Sequence, residues 1–269
     1  MNILEEIAQK TKERVEEEKR KIPLGEMERQ ARRRMKENPR THRFFDALNG
    51  PELAFICEVK KASPSKGIIA KDFPWLSIAM DYEAAGAAAI SCLTEPFWFL
   101  GRNEYLKEIA AGVSIPVLRK DFTVDPYMIY EAKALGAGAV LLICAILDDA
   151  CLKDGVQLAE ELGMDALVEA HTPEEVSRAA KAGAQIIGVN NRNLKDFSVN
   201  IENSRRLKAL APENTLFVSE SGIKTAEDVA ALKNNGTDAV LIGETLMRAK
   251  NKKKMLDYLA GRSSAYDPD

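Results

Sequence analysis

Glu58 and Lys60 stand two residues apart at the end of one apolar run, Lys120 closes a second, Glu169 a third and Asn190 a fourth. Two ammonium groups and two carboxylates gathered in one pocket can move protons and hold the negative charge that develops on a reacting oxygen, which is acid–base and electrostatic catalysis. Ser221 and Thr94 are further polar residues following apolar runs. Other chemistries find little support. His42 and His171 are the only 2 histidines, neither has metal-ligand spacing, and no HExxH, Walker A or GxGxxG pattern occurs. Metal, nicotinamide and nucleotide-triphosphate chemistry are disfavoured, so no metal or organic cofactor is expected. His171, just past a run, reads as a helix-start or supporting residue rather than a catalyst.

The elements that must position these residues follow from the punctuation of the chain. Apolar runs recur at intervals of roughly 25 residues: AFICEV (54–59), AAISCL (88–93), PVLRK (116–120), AVLLIC (139–144), ALVEA (166–170), IIGVN (186–190), LFVSE (216–220) and AVLIG (239–243). Helix-sized patterns lie between them, beginning near Trp75, Arg102, Pro126, Asp148, Pro173, Asn200, Thr225 and Glu244, often with Pro, Asp or Thr in the first turn. Gly86-Ala87, Gly136-Ala137, Gly183-Ala184 and Gly236-Thr237 each close a helix and open the next strand. Continuous apolar strands separated by helices imply a parallel sheet covered on its outer face. The fold class expected is α/β, a (β/α)8 TIM barrel with an N-terminal helical extension; an open doubly wound sheet is the alternative, but eight regular units favour closure.

Side-chain alternation then sorts the candidates. In FICEVKK, Ile56, Glu58 and Lys60 share one side of the strand. Two charges cannot face the apolar helix layer, so Glu58 and Lys60 point into the barrel mouth; an internal salt bridge closing the barrel top is the less favoured alternative, and even then the pair could tune a neighbouring site. The same parity turns Leu118 and Lys120, Leu167 and Glu169, and Gly188 and Asn190 inward. In a barrel of this kind, strand ends converge on one pocket.

The first loop carries Lys60, Lys61, Ser63, Ser65, Lys66 and Gly67, a donor-rich stretch able to fold over an anion. Ser221-Gly222 and Gly243-Glu244 follow the seventh and eighth runs, where backbone N–H groups and helix N-termini of such barrels commonly seat phosphate. Each glycine alone is a routine turn, and together with the basic loop they point to a phosphate site.

At 269 residues, with 46% hydrophobic and 29% charged residues, the chain has ordinary globular composition. A net charge of -3 gives no overall attraction for nucleic acid or anionic membrane, so neither is expected as a partner. Residues 1–48 form the expected helical extension packed on the barrel, and 49–269 the catalytic barrel. Ile3, Leu4, Ile7 and Val15 make a partial apolar stripe, Pro23 and Gly25 interrupt it, and a basic helix runs on to Asn38-Pro39. Arg32-Arg33-Arg34 sits among Glu26, Glu28 and Glu37 and reads as a solvated helix face rather than a nucleic-acid patch. Three of the 4 cysteines lie inside apolar runs and none is spaced as CxxC. The charged opening has no signal-peptide core, and no apolar stretch reaches the roughly 20 residues of a membrane span, so a cytoplasmic protein is expected; a monomer is the expected state.

ICEVKKASPSKG (56–67), LTEPFWFLG, VLRKDFTVDPYMIYEA, ALVEAHT, IIGVNNRNL, VSESGI and VLIGETLMR resemble, in order and spacing, the motifs of the indole-3-glycerol-phosphate synthase family. The resemblance spans residues 56–248, and this family also has a helical N-terminal extension. It implies a decarboxylating, dehydrating ring closure of 1-(2-carboxyphenylamino)-1-deoxyribulose 5-phosphate to indole-3-glycerol phosphate. Carried over by motif, Lys120 is the general acid at the sugar ketone and Glu169 the acid/base for dehydration. Lys60 engages the substrate carboxylate, while Glu58 and Asn190 hold sugar hydroxyls and orient the lysines. Ser63, Gly222, Gly243 and Glu244 contact the phosphate, with the outer end of Lys60. Phe122 and Leu194 wall the anthranilate ring, Arg192 and Ser221 line the same mouth, and Leu241 joins the binding residues. Arg102 follows FLG where the family often has serine, a departure outside the acid–base set.

Two other readings compete. In a Schiff-base aldolase Lys120 would attack a ketone covalently, and borohydride would trap it. A non-catalytic phosphate-ligand binder on a barrel is the third, against which the joint presence of Glu58, Lys60, Lys120 and Glu169 argues.

Overall fold

The computed structural model describes residues 2–193, 197–263 and 265–266. Three helices come first: α1 (Ile3–Lys21), α2 (Leu24–Glu37) and α3 (Arg43–Leu48). After β1 (Ala54–Val59), the basic loop forms a small antiparallel hairpin of β2 (Ala62–Ser63) and β3 (Gly67–Ile68). Helix and strand then alternate: α4 (Trp75–Ala84), β4 (Ala89–Leu93), α5 (Asn103–Gly112), β5 (Val117–Lys120), α6 (Pro126–Leu135), β6 (Ala139–Ile143), α7 (Asp149–Glu161), β7 (Asp165–Ala170), α8 (Pro173–Lys181), β8 (Ile186–Asn190). The series ends with α9 (Glu202–Lys208), β9 (Leu216–Glu220), α10 (Ala226–Asn234), β10 (Ala239–Ile242), α11 (Glu244–Arg248) and α12 (Lys252–Leu259). Strands β1 and β4 to β10 close into one parallel barrel, β10 pairing back onto β1 with Ala54 beside Ala239.

The strands are buried on both faces, as their continuous apolar runs require. Cys57, Ile90, Val140, Val168, Ile187, Phe217 and Val240 pack outward under the helices. Ile56, Leu118, Leu141, Leu167, Val218 and Leu241 fill the interior. Cys144 leaves β6 for a 3-10 turn over Cys144–Ile146, and Gly243 leaves β10 to become the N-cap of α11. Thr94 turns away from the mouth: its hydroxyl donates to Asp121 at 2.6 Å and accepts from Arg119 at 3.2 Å. Leu93 before it takes the inward position, as alternation demands.

The N-terminal helices bracket the barrel. α3, a single short helix that no periodicity in the sequence announces, plugs the base: Phe44 and Leu48 join the interior core. Burying each contributes about 1.5–3 kcal/mol. Asp165, the first residue of β7, satisfies the start of this helix, its carboxylate accepting from the Phe44 and Phe45 amides at 3.0 and 2.9 Å. α2 lies along α6. α1 reaches the opposite end, where Arg14 donates twice to Asp121, at 3.0 and 2.9 Å, and Lys19 bonds Asp125 at 2.7 Å.

Candidate active site

The C-terminal strand ends enclose a cavity of about 470 Å³, the size of a pocket that binds a small organic ligand. Its floor is charged. Lys120 Nζ, at the end of β5, donates to Glu169 Oε2 at 2.9 Å and to Glu220 Oε2 at 2.7 Å. Asn190, from β8, supports Glu169 through Nδ2 at 3.4 Å and accepts the Arg192 amide at 3.0 Å. Glu58 and Lys60 emerge together from β1, and the Lys60 ammonium donates to the Glu58 carboxylate.

The sequence points to Ser221 as the polar end of the seventh run, and the structure adds Glu220 just before it. Alternation along LFVSE would have found it, since Leu216 and Val218 are in the interior core and Glu220 must follow them inward. Register leaves it room: Gly188 on β8 stands beside Val218, and a Cβ there would collide with the Glu220 carboxylate.

Burial and charge set the ionisation of this floor. Glu169 is 2% exposed and Glu220 1%. Burial pushes the Glu220 carboxyl up to about 7, with Glu169 and Glu58 adding to the rise against the pull of Lys120. Burial pushes Glu169 up as well, but Lys120, His171 and the hydrogen bonds from Lys120 and Asn190 together hold it below the usual carboxylate range. For Lys120, burial is outweighed by Glu169, Glu220 and Glu58, so its ammonium is strengthened. The floor therefore holds a firm ammonium between one carboxylate that stays ionised and one that titrates near neutrality. His171 stands behind it, its Nε2 3.4 Å from Glu169 Oε1 and its Nδ1 3.4 Å from Glu175 Oε2.

One wall is made of glycine backbone and a helix start. Ser221 and Gly222 both line the cavity with positive φ, 69° and 84°, a conformation that glycine adopts freely and other residues rarely. Gly243 and Glu244 begin α11, whose first N–H groups have no partner within the helix. A Cβ on Gly243 would meet the Glu58 carboxylate and approach the Lys60 ammonium at 2.8 Å, so the absence of a side chain lets β1 and β10 converge. Ser63 lines the cavity from β2, and Lys66 in the hairpin turn lies 3.7 Å from Glu244 across the rim. The other wall is apolar: Phe99 and Phe122 stand 5.9 Å apart, with Leu241 and Ile3, Leu4 and Ile7 of α1 completing it. The sequence stripe on α1 suggested packing, and its first turns prove also to line the mouth. Leu194 lies outside the described residues. Arg102, the departure in the second loop, is the N-cap of α5 and sits 5.9 Å over the Tyr105 ring, away from the cavity.

A closed parallel barrel whose mouth sets two ammonium groups among three carboxylates, beside a wall of glycine backbone, has the architecture of a TIM-barrel enzyme. A family model described as indole-3-glycerol phosphate synthase matches residues 4–259. Indole-3-glycerol phosphate synthase from Ruminiclostridium cellulolyticum is 54% identical over 259 residues, covering 96% of this chain and 99% of the relative. That of Carboxydothermus hydrogenoformans is 47% identical over 265 residues, covering 95% and 98%. The chain belongs to the indole-3-glycerol phosphate synthase family. Among solved structures, 3-hexulose-6-phosphate synthase from Salmonella typhimurium superposes with a TM-score of 0.64 at 14% identity, over 78% of this chain and 97% of that one, a likeness of fold alone.

Proposed function

We propose that Lys120, Glu169 and their neighbours carry out the family's reaction, a decarboxylating synthesis of indole-3-glycerol phosphate in the making of tryptophan, on 1-(2-carboxyphenylamino)-1-deoxyribulose 5-phosphate. The observation that carries this reading is the Lys120 ammonium clamped between Glu169 and Glu220 on the floor of a phosphate-ready mouth. In the first step the aryl carbon bearing the carboxylate attacks the ketone carbon of the sugar chain. The carbonyl electrons move onto oxygen, and Lys120 stabilises that charge and donates its proton. Carbon dioxide then leaves, returning its bonding electrons to the ring. The new hydroxyl departs as water with one proton, and a second proton leaves the carbon between it and the nitrogen. Glu169, beside Lys120, receives and returns that proton, so one proton is drawn from solvent per turnover, balancing the lost carboxylate.

Lys60 engages the substrate carboxylate, kept in place by Glu58, and Glu58 and Asn190 take sugar hydroxyls. The Ser63 hydroxyl and the amides of Gly222, Gly243 and Glu244 hold the phosphate. Phe122 and Leu241 flank the aromatic ring, joined by Leu194, and Arg192 and Ser221 border it. A monomer is part of this reading, and the free state of Cys57, Cys92, Cys144 and Cys151 supports a cytoplasmic home. No described helix is long and apolar enough to cross a membrane. A Schiff base at Lys120 would need a neutral amine, and the two carboxylates beside it favour the ammonium instead.

The deciding experiment is incubation with the synthetic substrate, reading indole fluorescence and carbon dioxide release together. Product should form without a covalent intermediate. No product, with borohydride adding substrate mass to Lys120, would sink the assignment.

A further inference from the structure

The base of the barrel, opposite the mouth, holds a second cavity of about 50 Å³ between the strand starts and the C-terminal ends of α2 and α6. Arg34, Arg40, Arg43 and Lys133 line it with Asn38, and every charged group on its wall is a cation. Lys133 is 6% exposed as a residue, its ammonium opens onto the cavity, and among the described residues that ammonium has no hydrogen-bond or ion-pair partner. An unpaired buried charge is costly and calls for compensation. The arginine run read as a solvated face divides here. Arg32 and Arg33 each bond a glutamate one turn away at 2.8 Å, Glu28 and Glu37, while Arg34 turns to the cavity with neither. Among the described residues Arg43 donates only to the Ser114 carbonyl. The helix C-termini favour cations nearby, yet no carbonyl of the described residues accepts from Lys133, and burial, then Arg34, hold its ammonium below the ordinary lysine range.

We propose that this base cavity is a binding site for a phosphate-class oxyanion, separate from the phosphate seat of the mouth. Guanidinium forks match such an anion two oxygens at a time, and Lys133 supplies a point charge from below. A phosphate there would tie together α2 through Arg34, the α2–α3 link through Arg40, α3 through Arg43 and α6 through Lys133. The anion is either free inorganic phosphate or the terminal group of a phosphomonoester whose remainder leaves by the cavity opening.

The test is thermal melting against inorganic phosphate, with sodium chloride at matched ionic strength, on the parent, Lys133→Met and Arg43→Gln. Because the mouth also takes phosphate, each titration is paired with the phosphate inhibition constant for turnover. Phosphate should raise the parent's Tm beyond matched chloride. Lys133→Met should weaken the base site at least about tenfold, the loss of one charge-assisted contact, and leave the inhibition constant unchanged. In chloride alone it should melt at or above the parent, having shed a charge crowded by Arg34. Arg43→Gln keeps the core intact and carries the same test should Lys133→Met fail to fold. A parallel titration with glycerol 3-phosphate assigns the ligand: a larger Lys133-dependent shift than inorganic phosphate marks a phosphomonoester, a smaller one the free anion. A full phosphate shift retained in both variants, or matched by chloride in the parent, would overturn the proposal.

Discussion

Replacing Lys120 by methionine keeps the apolar stem and removes one charge, and the structure separates its two consequences. Nζ lies 2.9 Å from Glu169 and 2.7 Å from Glu220, carboxylates that are 2% and 1% exposed. Chemically, no substitute ammonium is at hand, because Lys60 is engaged by Glu58. Turnover should fall by about two to four orders of magnitude, or about 3–5 kcal/mol of transition-state stabilisation. Electrostatically, breaking a buried pair by removing one partner costs about 3–5 kcal/mol while the remaining group stays charged. Here the two carboxylates can relieve that cost by taking up a proton. Glu220 is already pushed up to about 7 by burial, and without Lys120 its carboxyl rises further. The folded variant then binds more protons than the unfolded chain, so its stability is full at low pH and is lost as pH climbs through the raised value. The deficit in Tm against the parent should accordingly be larger at about pH 8 than at about pH 5.5. Single-turnover fluorescence and melts at the two pH values measure both effects. Turnover within about threefold of the parent would refute the general-acid role, and an equal Tm deficit at both pH values would refute the charge argument.

Glu220→Gln leaves Lys120 an acceptor but removes the group pushed up to about 7 by burial; ionised Glu220 opposes an anionic substrate, so kcat/KM of the parent should decline above neutrality. That limb should flatten in the variant, and its survival there would show that another group causes it. Glu169→Gln should bind substrate nearly normally while single-turnover rates drop by about two to four orders of magnitude; the reverse pattern, weak binding at an unchanged rate, would reduce Glu169 to charge balance. Gly222→Val forces a β-branched residue to a φ of 84° and drives its Cβ into Val199, so KM should rise at least about tenfold through displaced phosphate donors, and an unchanged KM would place the phosphate elsewhere.

Strand positions were legible because a strand buried on both faces must be a continuous apolar run, and β8 and β9 fall where IIGVN and LFVSE lie. The inward side chains followed from alternation alone, which brought Glu58, Lys120 and Glu169 to one cavity. Glu220 escaped because a charged residue next to a serine and a glycine looks like the beginning of a loop, and only the two-residue period separates the inward carboxylate from Ser221. α3 escaped for another reason: six residues make too few turns for a 3.6-residue period to show, and its stability comes from Asp165, over a hundred residues away. Likewise nothing local in Ile3, Leu4 and Ile7 says that they face a cavity, since the same stripe serves any buried helix face.

The seat of α3 bears on the order in which the protein can be made. Its capping carboxylate lies 121 residues downstream of Phe44, and the Asp121 that anchors Arg14 lies 107 residues downstream. On a ribosome adding about 5–20 residues per second, the N-terminal helices therefore wait several seconds for their partners. During that interval Phe44, Leu48 and the α1 stripe are apolar surface with no place to dock, so the first segment synthesised is among the last to settle, and the emerging chain is most exposed to aggregation before β7 appears.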